Sequence, residues 1–194
     1  MIIMNCLKLQ LNTIQPIIQD NIMDLDYKET IPKDFNDLSR VWIYQANRLF
    51  ETHEAQQIQT MLEQFVTSWR SHGDKVKGYA HFFFGQFIVL MADETATGVS
   101  GCSTDSSVRL IKEIEQRYNV QFFDRQTLAF VLKDNIQLLP FADLNHAVNS
   151  NVIDADTLYF NNTVLTKKEL LQNWIIPLKE SWLSKRVNFR ELTS

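Results

Sequence analysis

One stretch of this sequence brings together residue types suited to chemistry: Asp93-Glu94, then Ser100-Gly101-Cys102-Ser103, followed by Thr104 and Asp105. The two acids end an apolar run, and the small residues lead into a segment of helical period. Backbone N–H groups at a helix start are unpaired and the dipole there is positive, so anions are attracted and a thiol ionises more easily. Cys102 is therefore a candidate reactive thiol. Asp93, Glu94, Ser100, Gly101, Cys102, Ser103 and Asp105 are candidate ligand contacts. A plain structural reading accounts for the same residues: Thr104 or Asp105 caps the helix, Gly101 serves the turn, and Cys102 packs as a small apolar residue. Both readings stand.

Neighbouring chemistries are tested by spacing. A phosphate-binding cysteine loop needs five residues between Cys and Arg, whereas Arg109 follows Cys102 after six and lies within the expected helix. A Cys–His pair would draw on His53, His72, His81 or His146, of which His81 lies in an expected strand near the segment. No two histidines stand three or four apart and no Cys/His cluster exists, so no metal site is expected. Asp93 and Glu94 would hold Mg²⁺ only with help from a substrate phosphate. The run Phe87 to Glu94 has the shape of a Walker B strand, but a nucleotide-hydrolysing loop also needs a Gly-Lys pair, and the chain has none. An ATPase reading is rejected, and no cofactor is expected.

The wider composition is that of an ordinary globular chain. Of 194 residues, 45% are hydrophobic and 22% charged, with five Gly and four Pro. A chain of this length buries about 70% of its unfolded surface and needs no staple. Two cysteines without a Cys-x-x-Cys pair suit a reducing compartment, and a cytoplasmic setting is expected. Net charge is −4 with both signs interleaved, which gives no nucleic-acid arm. The longest apolar run, Phe82 to Ala92, is too short to cross a bilayer. Neither nucleic acid nor membrane is an expected partner.

Residues 1–34 read as an N-terminal extension. Two alternatives stay open for its first part: translation starting at Met23 with a loosely attached stretch before it, or a helix burying Leu7, Leu9, Leu11 and Ile14. Residues 35–186 read as one α+β domain, with a core over 40–132, a satellite over 133–186 and a tail over 187–194.

Periodicity orders the core. Val41 to Tyr44 reads as a strand. Ile58, Met61, Leu62, Phe65, Val66 and Trp69 form a helical stripe, with Thr52 as cap and Gly73 as stop. Val76 to Phe84 and Phe87 to Ala92 read as a hairpin through Gly85-Gln86. Leu110, Ile111, Ile114 and Tyr118 mark a second helix closed by Asn119, and Val120 to Phe123 and Thr127 to Leu132 read as strand. The resulting βαββαβ order is that of a ferredoxin-like core, an antiparallel sheet with helices on one face. In the satellite, a short helix is expected after Pro140 and a turn at Asn161-Asn162. Thr166-Lys167-Lys168-Glu169 is a capping box, with Leu165 and Leu170 at the staple positions. Trp174, Leu178 and Trp182 continue it as a helical extension kinked at Pro177.

Arg40-Val41-Trp42-Ile43-Tyr44-Gln45, Ala92-Asp93-Glu94, Ser100-Gly101-Cys102-Ser103 and Phe160-Asn161-Asn162 together resemble an uncharacterised bacterial family often labelled "ABC transporter ATPase". The likeness covers about residues 35 to 186. It implies a bacterial cytosolic setting and no established activity, and the label conflicts with the missing phosphate loop.

Two functions follow. The first is a binding or assembly module, resting on 13 Phe, 5 Tyr and 4 Trp and on a sheet edge or face that pairs with a protein partner or a second copy. The second is a small enzyme or anion-binding protein that uses the Cys102 loop. The first is favoured.

Overall fold

The structure is a computed structural model that describes residues 24–95, 101–187 and 189, with residues 101–103 as backbone only. The readings of residues 1–23, of Ser100 and of the Cys102 and Ser103 side chains fall outside the described residues.

The first half runs β1 (Arg40–Gln45), α1 (Thr52–Ser68), a small hairpin of β2 (Arg70–Ser71) and β3 (Asp74–Lys75), β4 (Lys77–Phe83), β5 (Phe87–Asp93) and α2 (Gly101–Tyr118). β5 lies between β1 and β4, antiparallel to both. Alternation then sorts the side chains by face. Trp42, Tyr44, Ala80, Phe82, Ile88 and Leu90 point to α1 and α2, which answer with Ile58, Leu62, Ile111 and Ile114. Val41, Ile43, Phe83, Phe87, Val89 and Met91 point the other way.

That second face is covered by another sheet, made of β6 (Thr127–Leu132), β7 (Asn135–Pro140), β8 (Leu158–Phe160) and β9 (Ile175–Pro177) in the order β7-β6-β8-β9. Ala129, Val131, Ile136, Leu138, Phe160 and Ile175 face the first sheet. Leu128, Phe130, Leu139 and Tyr159 face outward onto α3 (Leu144–Asn149) and the 3-10 turns after β9. The described residues thus stack helix, sheet, sheet, helix. Phe87 of the first sheet stacks on Phe160 of the second at 4.5 Å, and Trp174 meets Phe87 edge-on at 5.7 Å. Each such aromatic pair adds about 0.5–1.5 kcal/mol beyond the area it buries.

The α+β class agrees with expectation, and β1, β5 and β4 form one three-stranded antiparallel sheet. The fourth strand does not join them: β6 pairs with β7 and β8, not with β1. Its two apolar faces explain this, since both are satisfied only between the first sheet and α3. Val120 to Phe123 is not a strand. The Val120 N–H closes α2 on the Glu115 carbonyl, Asn119 takes the left-handed conformation, and the Phe122 N–H donates to Glu115 Oε1 at 2.6 Å.

Several local expectations are corrected. α1 starts after Glu51, whose N–H donates to Glu54 Oε2 at 2.9 Å, so Thr52 is its first residue and not its cap. Gly73 does not stop α1; it turns the β2–β3 hairpin with His72, both at positive φ. Ser103, Thr104 and Asp105 lie inside α2 and do not cap it, because that helix opens at Gly101. Only half of the expected capping box forms at α4 (Lys167–Asn173): Thr166 Oγ1 accepts from the Glu169 N–H at 3.2 Å, while Glu169 Oε2 accepts from the Leu165 N–H at 2.7 Å and not from that of Thr166. Its staple does not form: Leu170 is buried and Leu165 is 66% exposed. The helical extension beyond α4 is replaced by β9, which pairs with β8 and ends at Pro177.

Chain from the expected extension also enters the core. Tyr27 and Ile31, with Phe35 at the start of the expected domain, are buried between the sheets and α4, and the Tyr27 hydroxyl donates to the Leu170 carbonyl at 2.6 Å. The buried Lys167 ammonium donates to the Phe35 carbonyl at 2.6 Å.

Candidate functional site

The expected site residues separate in the structure. Asp93 closes β5 and is 3% exposed. It accepts from Thr95 Oγ1 at 2.7 Å, Lys77 Nζ at 3.1 Å and the Asn36 N–H at 3.3 Å. Burial alone would raise its pKa, but these hydrogen bonds outweigh it and hold the carboxyl at about 2. Its acceptor capacity is spent on fastening β5 to β4 and to the chain before β1. Glu94 is exposed and faces the Arg40 guanidinium at 3.8 Å. Gly101 opens α2, Cys102 and Ser103 lie in its first turn as backbone, and Asp105 follows that turn and is exposed.

A feature suited to a ligand lies elsewhere, along the outer edge of β1. The Ala46 N–H donates to the Gln86 carbonyl, so the even-numbered residues of β1 bond to β5 and the odd-numbered ones point outward. The outward Val41 N–H donates to the Leu165 carbonyl at 2.9 Å, and the outward Asn47 N–H to the Gln121 carbonyl at 3.0 Å. Between these two closures, no described residue bonds to the outward main chain of Ile43. The opposite edge of the sheet is treated differently: on β4, Gln59 Oε1 accepts from the Phe82 N–H at 3.0 Å.

A cleft of about 570 Å³ opens on this edge, within the range of ligand-sized cavities. Its walls come from β1, the first turns of α2 at Thr104 and Val108, the segment Phe122–Leu128, β8 and residues 162–165. Of the exposed large apolar side chains, Phe123, Leu165 and Trp182 all line it, and Trp182 stacks on the exposed Phe141 at 6.1 Å. Exposed apolar groups gathered at the mouth of a cleft mark an interaction site more often than scattered ones do.

Polar groups converge on the same cleft. Burial pushes the Tyr44 hydroxyl above its ordinary pKa; a hydrogen bond with Ser107 and the Arg125 charge offset part of that rise. The hydroxyl is therefore a standing donor at neutral pH. Asp124 accepts from the Gln126 N–H at 2.8 Å and from Thr127 Oγ1 at 2.5 Å, which sets the loop that carries Arg125. Arg125 itself is exposed and forms no ion pair with a described residue.

Sequence spacing does not reveal Tyr44, Gln45, Arg125 or Asn162 as neighbours, because three segments distant in sequence bring them together. The local sign was Asp124 three residues before Thr127, a spacing that favours a self-bonded loop. Among the described residues no group of three His, Cys, Asp or Glu is placed to hold a metal ion, and no helix is long and apolar enough to cross a membrane. Comparison with protein-family models, curated proteins and solved structures gives no match.

Proposed function

We propose that this chain is a protein-binding module that takes an extended segment of a partner along the uncovered edge of β1. The observation that carries the reading is the coincidence of an unpaired strand edge at Ile43 with a cleft rimmed by Phe123, Leu165 and Trp182. An added strand gains main-chain hydrogen bonds from Ile43, each worth about 0.5–1.5 kcal/mol net. Its apolar side chains bury against the rim, where a fully covered Leu or Phe contributes about 1.5–3 kcal/mol. Association entropy takes back about 4 kcal/mol or more, which leaves weak affinity, from about micromolar at best to millimolar.

The reading is tested by titrating ¹⁵N-labelled protein with pooled acetylated pentapeptides. The Ile43 amide shifts and its hydrogen exchange slows, and Trp182→Ala or Phe123→Ala weakens the effect several-fold. An Ile43 amide indifferent to every pool sinks the proposal.

Membership of the bacterial family that the sequence resembles and a cytosolic setting belong to the same proposal. Thr104 on the wall of the cleft favours a second reading, in which Cys102 on that turn is a reactive thiol. Its alkylation rate against pH, measured on Cys6→Ser, shows a lowered thiol pKa if that holds; reaction only after unfolding removes it.

A further inference from the structure

We propose that the segment taken up is the C-terminal end of the partner, lying parallel to β1 with its terminal carboxylate on the Arg125 guanidinium. This rests on the peptide-binding reading above and specifies what part of a partner fits.

The first ground is that the strand edge is a short window stopped at both ends. Leu165 occupies the Val41 N–H at one end. At the other, the Asn47 N–H donates to the Gln121 carbonyl, and the Gln121 N–H donates back to Asn47 Oδ1 at 3.0 Å. From Val41 to Gln45 the edge measures about 13 Å, at ~3.3 Å per residue. A long strand passing straight through would have to displace both closures. A chain end enters over one of them and stops at the other.

The second ground is charge. The segment that closes the Asn47 end continues from Gln121 to Thr127, whose carbonyl accepts from Gln45 Nε2 at 3.1 Å. Arg125 stands in that segment, so it marks the closed end of the window. The neighbouring Asp124 carboxylate is already taken by Gln126 and Thr127, and no described acid pairs with Arg125. An unmatched guanidinium with forked N–H donors complements a carboxylate. Only a C-terminus places a carboxylate on the strand axis itself. An acidic side chain projects to one side while its own main chain continues into Gln121.

Three pentapeptide pools separate the possibilities: free C-terminal carboxylate, C-terminal amide, and amide with glutamate as the last residue. The free-carboxylate pool binds at least tenfold more tightly than the amide pool by calorimetry and shifts both the Ile43 amide and the Arg125 Nε–H. Arg125→Ala reduces it to the level of the amide pool, and Arg125→Lys keeps part of the gain. Because Arg125 is exposed and pairs with no described acid, both variants retain the wild-type unfolding midpoint. Equal binding of acid and amide pools, with Ile43 still perturbed, overturns this inference and leaves the peptide reading intact. Glutamyl-amide binding equal to the free-carboxylate pool also overturns it and assigns the charge to a side chain. If no pool perturbs Ile43, or if sedimentation shows a dimer that protects Ile43 in the absence of peptide, both readings fall.

Discussion

Asn162 and Gln45 join the two sheets through their side-chain amides: Asn162 Nδ2 donates to Gln45 Oε1 at 2.8 Å. Gln45 ends β1, and Asn162 follows β8, 117 residues later. The link runs on at both ends. Gln45 Nε2 donates to the Thr127 carbonyl at 3.1 Å, and Asn162 Oδ1 accepts from Trp174 Nε1 at 3.1 Å. A chain of satisfied amides inside a packed boundary fixes one relative placement of the sheets, because a shifted placement leaves buried polar groups unpaired.

Asn162→Ala is therefore expected to destabilise the protein by about 1–3 kcal/mol, the usual cost of stranding a buried donor. The stranded group is the indole N–H of Trp174, which is fully buried. Urea denaturation followed by tryptophan fluorescence measures this. An unchanged midpoint would mean that water replaces the amide and that the link holds nothing in place.

How much of this was legible in the sequence varies with range. Helices α1 and α2 and the β4–β5 hairpin follow from period and turn residues, which act over a few positions. The partner of β6 does not, because Leu128, Phe130 and Ala129 suit any doubly buried strand and name no neighbour. Trp174, Leu178 and Trp182 show a helical interval by coincidence: Trp174 ends α4 in the inter-sheet core, Leu178 follows β9, and Trp182 reaches the cleft. The site was read at Asp93 because an acid after an apolar strand looks available. Lys77, Thr95 and Asn36, which occupy it, are distant in sequence or uninformative alone. The cleft at β1 depends on which edge is left open, a property of pairing that local pattern does not contain.

Gly78 is held to glycine by Trp69. A Cβ there would sit 2.6 Å from Trp69 Cε3 and 3.0 Å from Cζ3. The indole is 1% exposed and wedged by Phe65 at 4.9 Å and Trp42 at 6.2 Å, so it has little room to retreat. Gly78→Ala is expected to cost about 1–3 kcal/mol through overpacking. Calorimetric unfolding provides the check, and a wild-type melting temperature would show the ring to be movable.

At α4, Thr166→Ala removes the acceptor for the Glu169 N–H and is expected to cost about 1 kcal/mol. Thr166→Ser keeps the oxygen and should restore most of that loss. Equal midpoints for the alanine and wild-type chains in guanidinium would place the helix start elsewhere.

Asp93 gives the protein an acid dependence whose sign can be worked out. Its folded pKa, about 2, lies below the ordinary value of 3.8, so folding favours the ionised form. The contribution is fully present above about pH 4 and is lost as pH falls from there through about 2. Glu54 shares the window, because Arg48 donates to both of its oxygens at 2.8 Å and holds it at about 2. Asp93→Asn keeps the shape but gives up the ion pair with Lys77, so it is less stable than wild type at pH 7. The gap between the two then narrows below pH 4, since Asp93 binds a proton there in the unfolded wild-type chain, and in the folded one only near pH 2. Urea midpoints at pH 7, 4, 3 and 2.5 read this directly. A gap that stays constant down to pH 2.5 would show that the Asp93 carboxylate contributes no charge-dependent stability, and the Lys77 pair would then be incidental to the fold.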